Sequence, residues 1–290
     1  MENFDYLAPR SLAEAYSALG NGRTSLMLAG GTDVIVQLRE GRKRCDQLID
    51  LKHIPELMSF RWIDGTLEIG AATPLAVLYE DREVASKLPA VVDAGHIIGG
   101  IQIQSRASFG GNLCNASPAA DSSPALMALG ARLLIGSANG TREMAVEDFF
   151  LGPGRSALQP GELLLQVKIP PQPARSSAFY HRFIPRNEMD IAVASAGVRL
   201  QLAADGETIE SARVAIGAVA ATPLMVPAAA TALVGEPATD ATFAKAGAAA
   251  AAAAAPITDM RGSIGQRKEL TSVLTVRALR GALKRIREAR

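Results

Sequence analysis

The chain has 290 residues, is 48% hydrophobic and 20% charged, and carries a formal net charge of +1. That composition excludes a disordered chain and leaves one large domain or two ordinary ones. The near-neutral balance gives no electrostatic footprint for nucleic acid. No apolar run reaches the ~20 residues of a membrane span. The acidic start Met1-Glu2-Asn3-Phe4-Asp5 lacks a secretory apolar region, so a cytoplasmic location is the expectation. Cys45 and Cys114, the two cysteines, then read as a reduced pair.

In chain order, Ser11 followed by Glu14 forms a capping-box start, and Leu12, Ala15, Tyr16 and Leu19 supply an apolar helical face that ends at Gly20. Residues 25–29 read as a short buried strand, residues 34–39 as a helix and residues 48–51 as a second strand. Asp64-Gly65 marks a hairpin turn within residues 57–67. Residues 67–71 read as a strand, 74–79 and 84–96 as helices, 124–129 as a short helix and 132–135 as a strand, with Asn139-Gly140 turning the chain again. A strand over 163–169 ends at Pro170-Pro171. The consecutive prolines make a stiff linker and the best domain boundary. Beyond it, three strands are expected at 178–183, 192–201 and 212–219, then helices at 223–233, 243–255 and 271–286. Arg277, Arg280, Lys284 and Arg287 give the last helix a basic face, read as solvated.

Two stretches stand out against this background. Residues 28–34 read LAGGTDV and residues 107–121 read ASFGGNLCNASPAAD. Adjacent glycines allow positive φ and close backbone approach to a ligand, and consecutive amides in such turns form a nest for an anion. The bland alternative is a pair of tight turns. Each motif ends an apolar run and is followed by small polar residues, so the sharper reading is two loops closing on one phosphorylated ligand. The first loop also precedes a predicted helix, whose N-terminus suits a phosphate. Neither G-x-G-x-x-G nor the Walker pattern is present.

The same motifs resemble those of the FAD-binding medium subunits of the molybdenum hydroxylases, the xanthine dehydrogenase and carbon monoxide dehydrogenase family. Ala29-Gly30-Gly31-Thr32-Asp33 is similar to that family's AGGT-type signature, and Ser108-Phe109-Gly110-Gly111-Asn112 to its T-x-G-G-N signature. Ala116-Ser117-Pro118-Ala119-Ala120-Asp121, Phe149-Phe150 and Pro160-Gly161-Glu162 extend the similarity, which spans nearly the whole chain. It departs at Gln102-Ile103-Gln104-Ser105, where many relatives read Q-I-R-N, and at Ile264-Gly265-Gln266 in place of A-E-Y.

The resemblance implies an α+β chain. Residues 1–172 would form a non-Rossmann FAD-binding fold of the vanillyl-alcohol-oxidase/PCMH type, with subdomains at about 1–58 and 59–172. Residues 173–290 would form a C-terminal domain with a three-stranded antiparallel sheet and helices. It also implies pyrophosphate contacts from Ala29, Gly30, Gly31, Thr32, Asp33, Ser108, Phe109, Gly110, Gly111 and Asn112. Ile98 and Val198 would lie beside the isoalloxazine, and Asp121 would contact the cofactor. Helix capping is the competing role for both Asp33 and Asp121. Arg186 and Asp190 could approach the flavin or simply pair with each other.

By the same resemblance the chain is the flavin subunit of a heterotrimer, itself paired into a dimer. A large subunit would hold molybdopterin, and a small one two [2Fe–2S] clusters. Electrons would pass through FAD to an acceptor. A stand-alone FAD-dependent oxidoreductase and a cofactor-free scaffold are the alternatives. No metal site is expected here: His53, His96 and His181 lack ligand spacing, and two cysteines cannot hold a cluster.

Overall fold

The computed structural model describes residues 2–186 and 189–289. The chain begins with a β-α-β-α-β unit: β1 (Asp5–Leu7), α1 (Leu12–Leu19), β2 (Ser25–Leu28), α2 (Val34–Arg39) and β3 (Gln47–Asp50). Its three strands are parallel, in the order β1-β3-β2. The capping box at Ser11 is present. The Ser11 hydroxyl accepts from the Glu14 amide at 3.2 Å, and the Glu14 carboxylate accepts from the Arg10 amide. A loop after β2 thus leaves the carboxyl end of a parallel strand, where α/β folds place ligands.

After α3 (Pro55–Met58), β4 (Phe60–Ile63) and β5 (Thr66–Gly70) form the hairpin expected at Asp64-Gly65, both of whose residues have positive φ. Helices follow at α4 (Leu75–Tyr79), α5 (Arg82–Lys87), α6 (Pro89–Gly95), α7 (Ile101–Gln104), α8 (Phe109–Asn115) and α9 (Ser122–Ala128). The single helix expected over 84–96 is divided between α5 and α6. Leu88 precedes Pro89, whose ring disfavours a helical predecessor, and Leu88 takes a non-helical backbone conformation. Then come β6 (Arg132–Ser137), β7 (Gly140–Ala145), a small hairpin of β8 (Phe150–Gly152) and β9 (Arg155–Ser156), and β10 (Leu163–Ile169). An antiparallel sheet of order β4-β5-β10-β6-β7 carries the largest core, which includes Leu67, Phe109, Leu126, Phe149 and Val167.

The C-terminal part comprises β11 (Ser176–Phe183), β12 (Ala194–Leu202), β13 (Ile209–Gly217), β14 (Leu224–Met225), α10 (Pro227–Thr231), α11 (Asp240–Ala253) and α12 (Ile264–Glu288). Its sheet has four strands, β11-β12-β13-β14, and not the three expected. The missed strand is two residues long, too short to show a pattern, and lies within the stretch expected to be helical; Pro227 then starts α10. Helices α10 and α12 lie on one face of the sheet with α11 packed against them, and α6 and α9 cover the other. β12 is therefore almost wholly buried, without the alternation of a half-exposed strand. Its even-numbered residues, Val198 among them, enter the core beneath α11 and α12. Gly197 faces α9, so close that a Cβ there would lie 2.2 Å from the Pro124 carbonyl oxygen.

Candidate functional site

The two glycine motifs meet on the wall of one cleft. The cleft has a volume of about 1130 Å³, counting space open to solvent, and is lined by Ala29, Gly30, Gly31, Thr32, Asp33, Ile98, Ser108, Gly110, Gly111 and Asn112 among others. The cleft is open to solvent, and both glycine motifs contribute to its lining. The motifs touch because neither bears a side chain at the seam. A Cβ on Gly30 would sit 2.0 Å from the Arg106 carbonyl oxygen, and one on Gly110 would sit 2.3 Å from that of Ala71.

The first motif connects β2 to α2, and Gly31 takes a positive φ of +79°, which glycine permits. Its peptide groups divide by direction. The Ala29 carbonyl accepts from the Lys52 ammonium at 3.0 Å and the Gly31 carbonyl from the Ile35 amide at 3.1 Å, while the Gly30 carbonyl faces the Arg106 guanidinium at 3.4 Å. The amides of residues 30–33 donate to no acceptor within the described chain. A run of free amides beside a positive-φ glycine is the nest geometry of an anion site.

The second motif is not a loop. Ser108 caps α8, its hydroxyl accepting from the Gly111 amide at 3.0 Å, and Gly110 and Gly111 lie in the first helical turn without positive φ. The smallness of Gly110 serves close packing on Ala71 rather than an unusual backbone conformation, and Gly111 lies against the Ser108 hydroxyl and Ala29. Phe109 points away from the cleft into the main core, at 2% exposure. Asn112, on the cleft wall, accepts from the Ser122 hydroxyl at 2.6 Å.

Neither aspartate caps a helix by its side chain. Asp33 precedes α2 in helical conformation with no capping bond. It lines the cleft, where burial raises its pKa against the lowering influence of Lys43 and Arg42. Asp121 is buried and absent from the cleft wall: one carboxylate oxygen accepts from the Tyr180 hydroxyl at 2.7 Å and the other from Arg182. Burial lifts its pKa to about 6, although Arg182 and Tyr180 pull it down. It ties the segment before α9 to β11. Val198 is likewise remote, because strand alternation turns it to the opposite face of β12 from Gly197 and α9. Ile98 does reach the cleft.

Arg186 and Asp190 pair with each other at 3.1 Å, while Asn187 and Glu188 between them lie outside the described residues. Sequence reasoning missed Gln37, Lys43, Asn115 and Leu158, which also line the cleft. Asn115 carried a signal in standing three residues after Asn112, on the same face of a helix; its amide oxygen accepts from Gln37 at 2.9 Å. Cys114 lines the cleft too, and burial pushes its thiol up to about 12. Among the described residues, no group of three or more His, Cys, Asp or Glu side chains is placed to hold a metal ion. Nor is any described helix long and apolar enough to cross a membrane.

Known proteins match this arrangement. The family described as "FAD binding domain in molybdopterin dehydrogenase" matches residues 2–172, and "CO dehydrogenase flavoprotein C-terminal domain" matches residues 179–282. A xanthine dehydrogenase FAD-binding subunit of Escherichia coli is 34% identical over 221 residues, covering 76% of this chain and 75% of that one. The carbon monoxide dehydrogenase medium chain of Afipia carboxidovorans is 32% identical, over 97% of this chain and 96% of its own length. The solved structure of reconstituted CO dehydrogenase from Oligotropha carboxidovorans superposes with a TM-score of 0.93 at 32% identity, over 98% of this chain and 99% of that one. With mixed α/β architecture and both domain families matched in order, the chain belongs to the FAD-binding medium subunits of the molybdenum hydroxylase family of oxidoreductases.

Proposed function

We propose that the cleft between the two glycine motifs holds FAD, and that the chain relays electrons from iron–sulfur clusters of a partner subunit to an external acceptor. The observation that carries the reading is the run of amides at residues 30–33 that donate to no acceptor within the described chain, next to a seam closed by glycine. These amides would hold the pyrophosphate, Asp33 and Asn112 would meet neighbouring hydroxyls, and Ile98 would cover the isoalloxazine by van der Waals contact. The flavin supplies the redox chemistry, and the protein supplies position and electrostatics. The donor set suits the pyrophosphate of a dinucleotide.

On this reading residues 1–172 form a PCMH-type FAD-binding domain, with subdomains near 1–58 and 59–172, and residues 173–290 form the C-terminal flavoprotein domain. The name medium chain carried by a relative supports a smaller and a larger partner; on this reading they are an iron–sulfur subunit and a molybdopterin subunit, in a cytoplasmic dimer of heterotrimers. The test is the flavin released from the purified chain on denaturation. FAD is expected, because an FMN has one phosphate for a site built around two. Chromatography that recovers only FMN, or no flavin uptake on reconstitution with FAD, rejects the proposal.

A further inference from the structure

Lys52 stands behind the first glycine motif and outside the cleft lining. Its ammonium donates to the Ala29 carbonyl at 3.0 Å and to Asp50 Oδ1 at 2.6 Å. The same Asp50 oxygen accepts from the Lys52 amide at 3.0 Å, and the other accepts from the Tyr6 hydroxyl. The Asp50 side chain is 5% exposed and that of Lys52 22%. The lysine, the tyrosine and its own backbone hold the Asp50 carboxyl below the usual carboxylate range despite burial. The ammonium is thus held in place by three elements: β1 through Tyr6, β3 through Asp50 and the turn that follows β3.

We infer that Lys52 is a positioning residue for the bound cofactor, orienting the first motif through the Ala29 carbonyl; the inference rests on the FAD reading above. The argument is one of peptide geometry. A trans peptide is planar, so the Ala29 carbonyl and the Gly30 amide point in opposite directions. Tethering that carbonyl to Lys52 behind the loop turns the Gly30 amide away from Lys52. The same cation polarises the peptide and strengthens its N–H as a donor. Ile35 then secures the next peptide but one through the Gly31 carbonyl. A glycine pair has the widest conformational freedom of any dipeptide. Without a fixed point at Ala29 it would sample orientations in which its amides no longer converge. Neutral hydrogen bonds would hold the loop less firmly than a charge-assisted one.

The experiment compares FAD titration and thermal melting of the apo full chain for wild type, Lys52→Arg, Lys52→Met and the double variant Lys52→Met/Asp50→Asn. The double variant removes the cation together with its counter-charge, so that no buried carboxylate is left unpaired. FAD affinity should fall at least tenfold in Lys52→Met and in the double variant, and recover to within threefold of wild type in Lys52→Arg. The apo double variant should melt close to wild type. Wild-type affinity in the double variant overturns the inference and leaves the FAD site standing. So does a double variant that cannot fold, which would assign the cluster to stability alone, or a Lys52→Arg variant as weak as Lys52→Met. A wild-type chain that binds no FAD sinks the site reading itself, and the inference with it.

Discussion

Gly30→Ala adds one methyl group and tests whether the two motifs must touch. At Gly30 a Cβ would lie 2.0 Å from the Arg106 carbonyl oxygen, 2.5 Å from its carbon and 2.8 Å from the Ala107 nitrogen. All three are backbone atoms, so no side chain can swing aside. Ordinary contact begins at 3.4 Å, so relieving the 2.0 Å approach drives the two segments apart by more than a bond's width. Arg106 and Ala107 lead directly into Ser108 and α8, so the displacement opens the cleft at its seam. Overpacking of this kind costs about 1–3 kcal/mol. Expressed entirely in binding, that weakens FAD by roughly 5- to 150-fold, at ~1.4 kcal/mol per tenfold. The assay is a flavin titration of the apo-protein beside a thermal melt. Gly265→Ala serves as control, since nothing lies within 4 Å of a Cβ there. If Gly30→Ala binds FAD as tightly as the control and melts at the same temperature, the seam does not shape the site and the reasoning fails.

Asp121 yields a pH prediction. Its folded pKa of about 6 stands above the unfolded 3.8, so the fold binds this proton more tightly than the unfolded chain does. Stability from the protonated form is fully present below pH ~4 and is lost as pH rises through about 6; at ~1.4 kcal/mol per unit the loss reaches about 3 kcal/mol. Denaturant titrations between pH 4 and 7 should show that loss in wild type and not in Asp121→Asn. Parallel pH profiles would refute the assignment. Cys114, with its thiol pushed up to about 12, should react with a maleimide at pH 8 far more slowly than a free cysteine does. Rapid labelling at that position would contradict the raised thiol pKa.

The first motif was legible because its signals agree. A strand, here only partly buried, a glycine pair and a helix start all occupy the positions that the residue types favour. The second motif was harder. Two glycines in succession argue against a helix, at about 1 kcal/mol each relative to alanine, yet α8 forms over them because Ser108 caps it and Ala71 packs on Gly110. Tertiary contact overrode propensity. The aspartates illustrate the same limit. Their position before a helix suggested caps, but the partners that take Asp121, Tyr180 and Arg182, lie far along the chain in β11 and leave no mark in the local sequence. Val198 lies in the C-terminal core and off the cleft wall for a simpler reason, since only the register of β12 against α9 decides which alternate residues face the N-terminal region.

The contact between Pro124 and Gly197 reaches beyond the strand it shapes. Pro170-Pro171 mark where the covalent chain changes region, but they do not mark where the molecule comes apart. α9 is held to α8 by the Ser122–Asn112 bond and lies on β12 with no side chain between them, while Arg285 of α12 reaches across to Asp93 of α6 at 2.6 Å. The cleft wall and the C-terminal sheet are in this sense one mechanical piece. β12 is linked to Asn112 through two contacts, Gly197 against Pro124 and the Ser122 hydroxyl on Asn112. The C-terminal half therefore acts as the backing plate that keeps the second motif from yielding when the first presses against it.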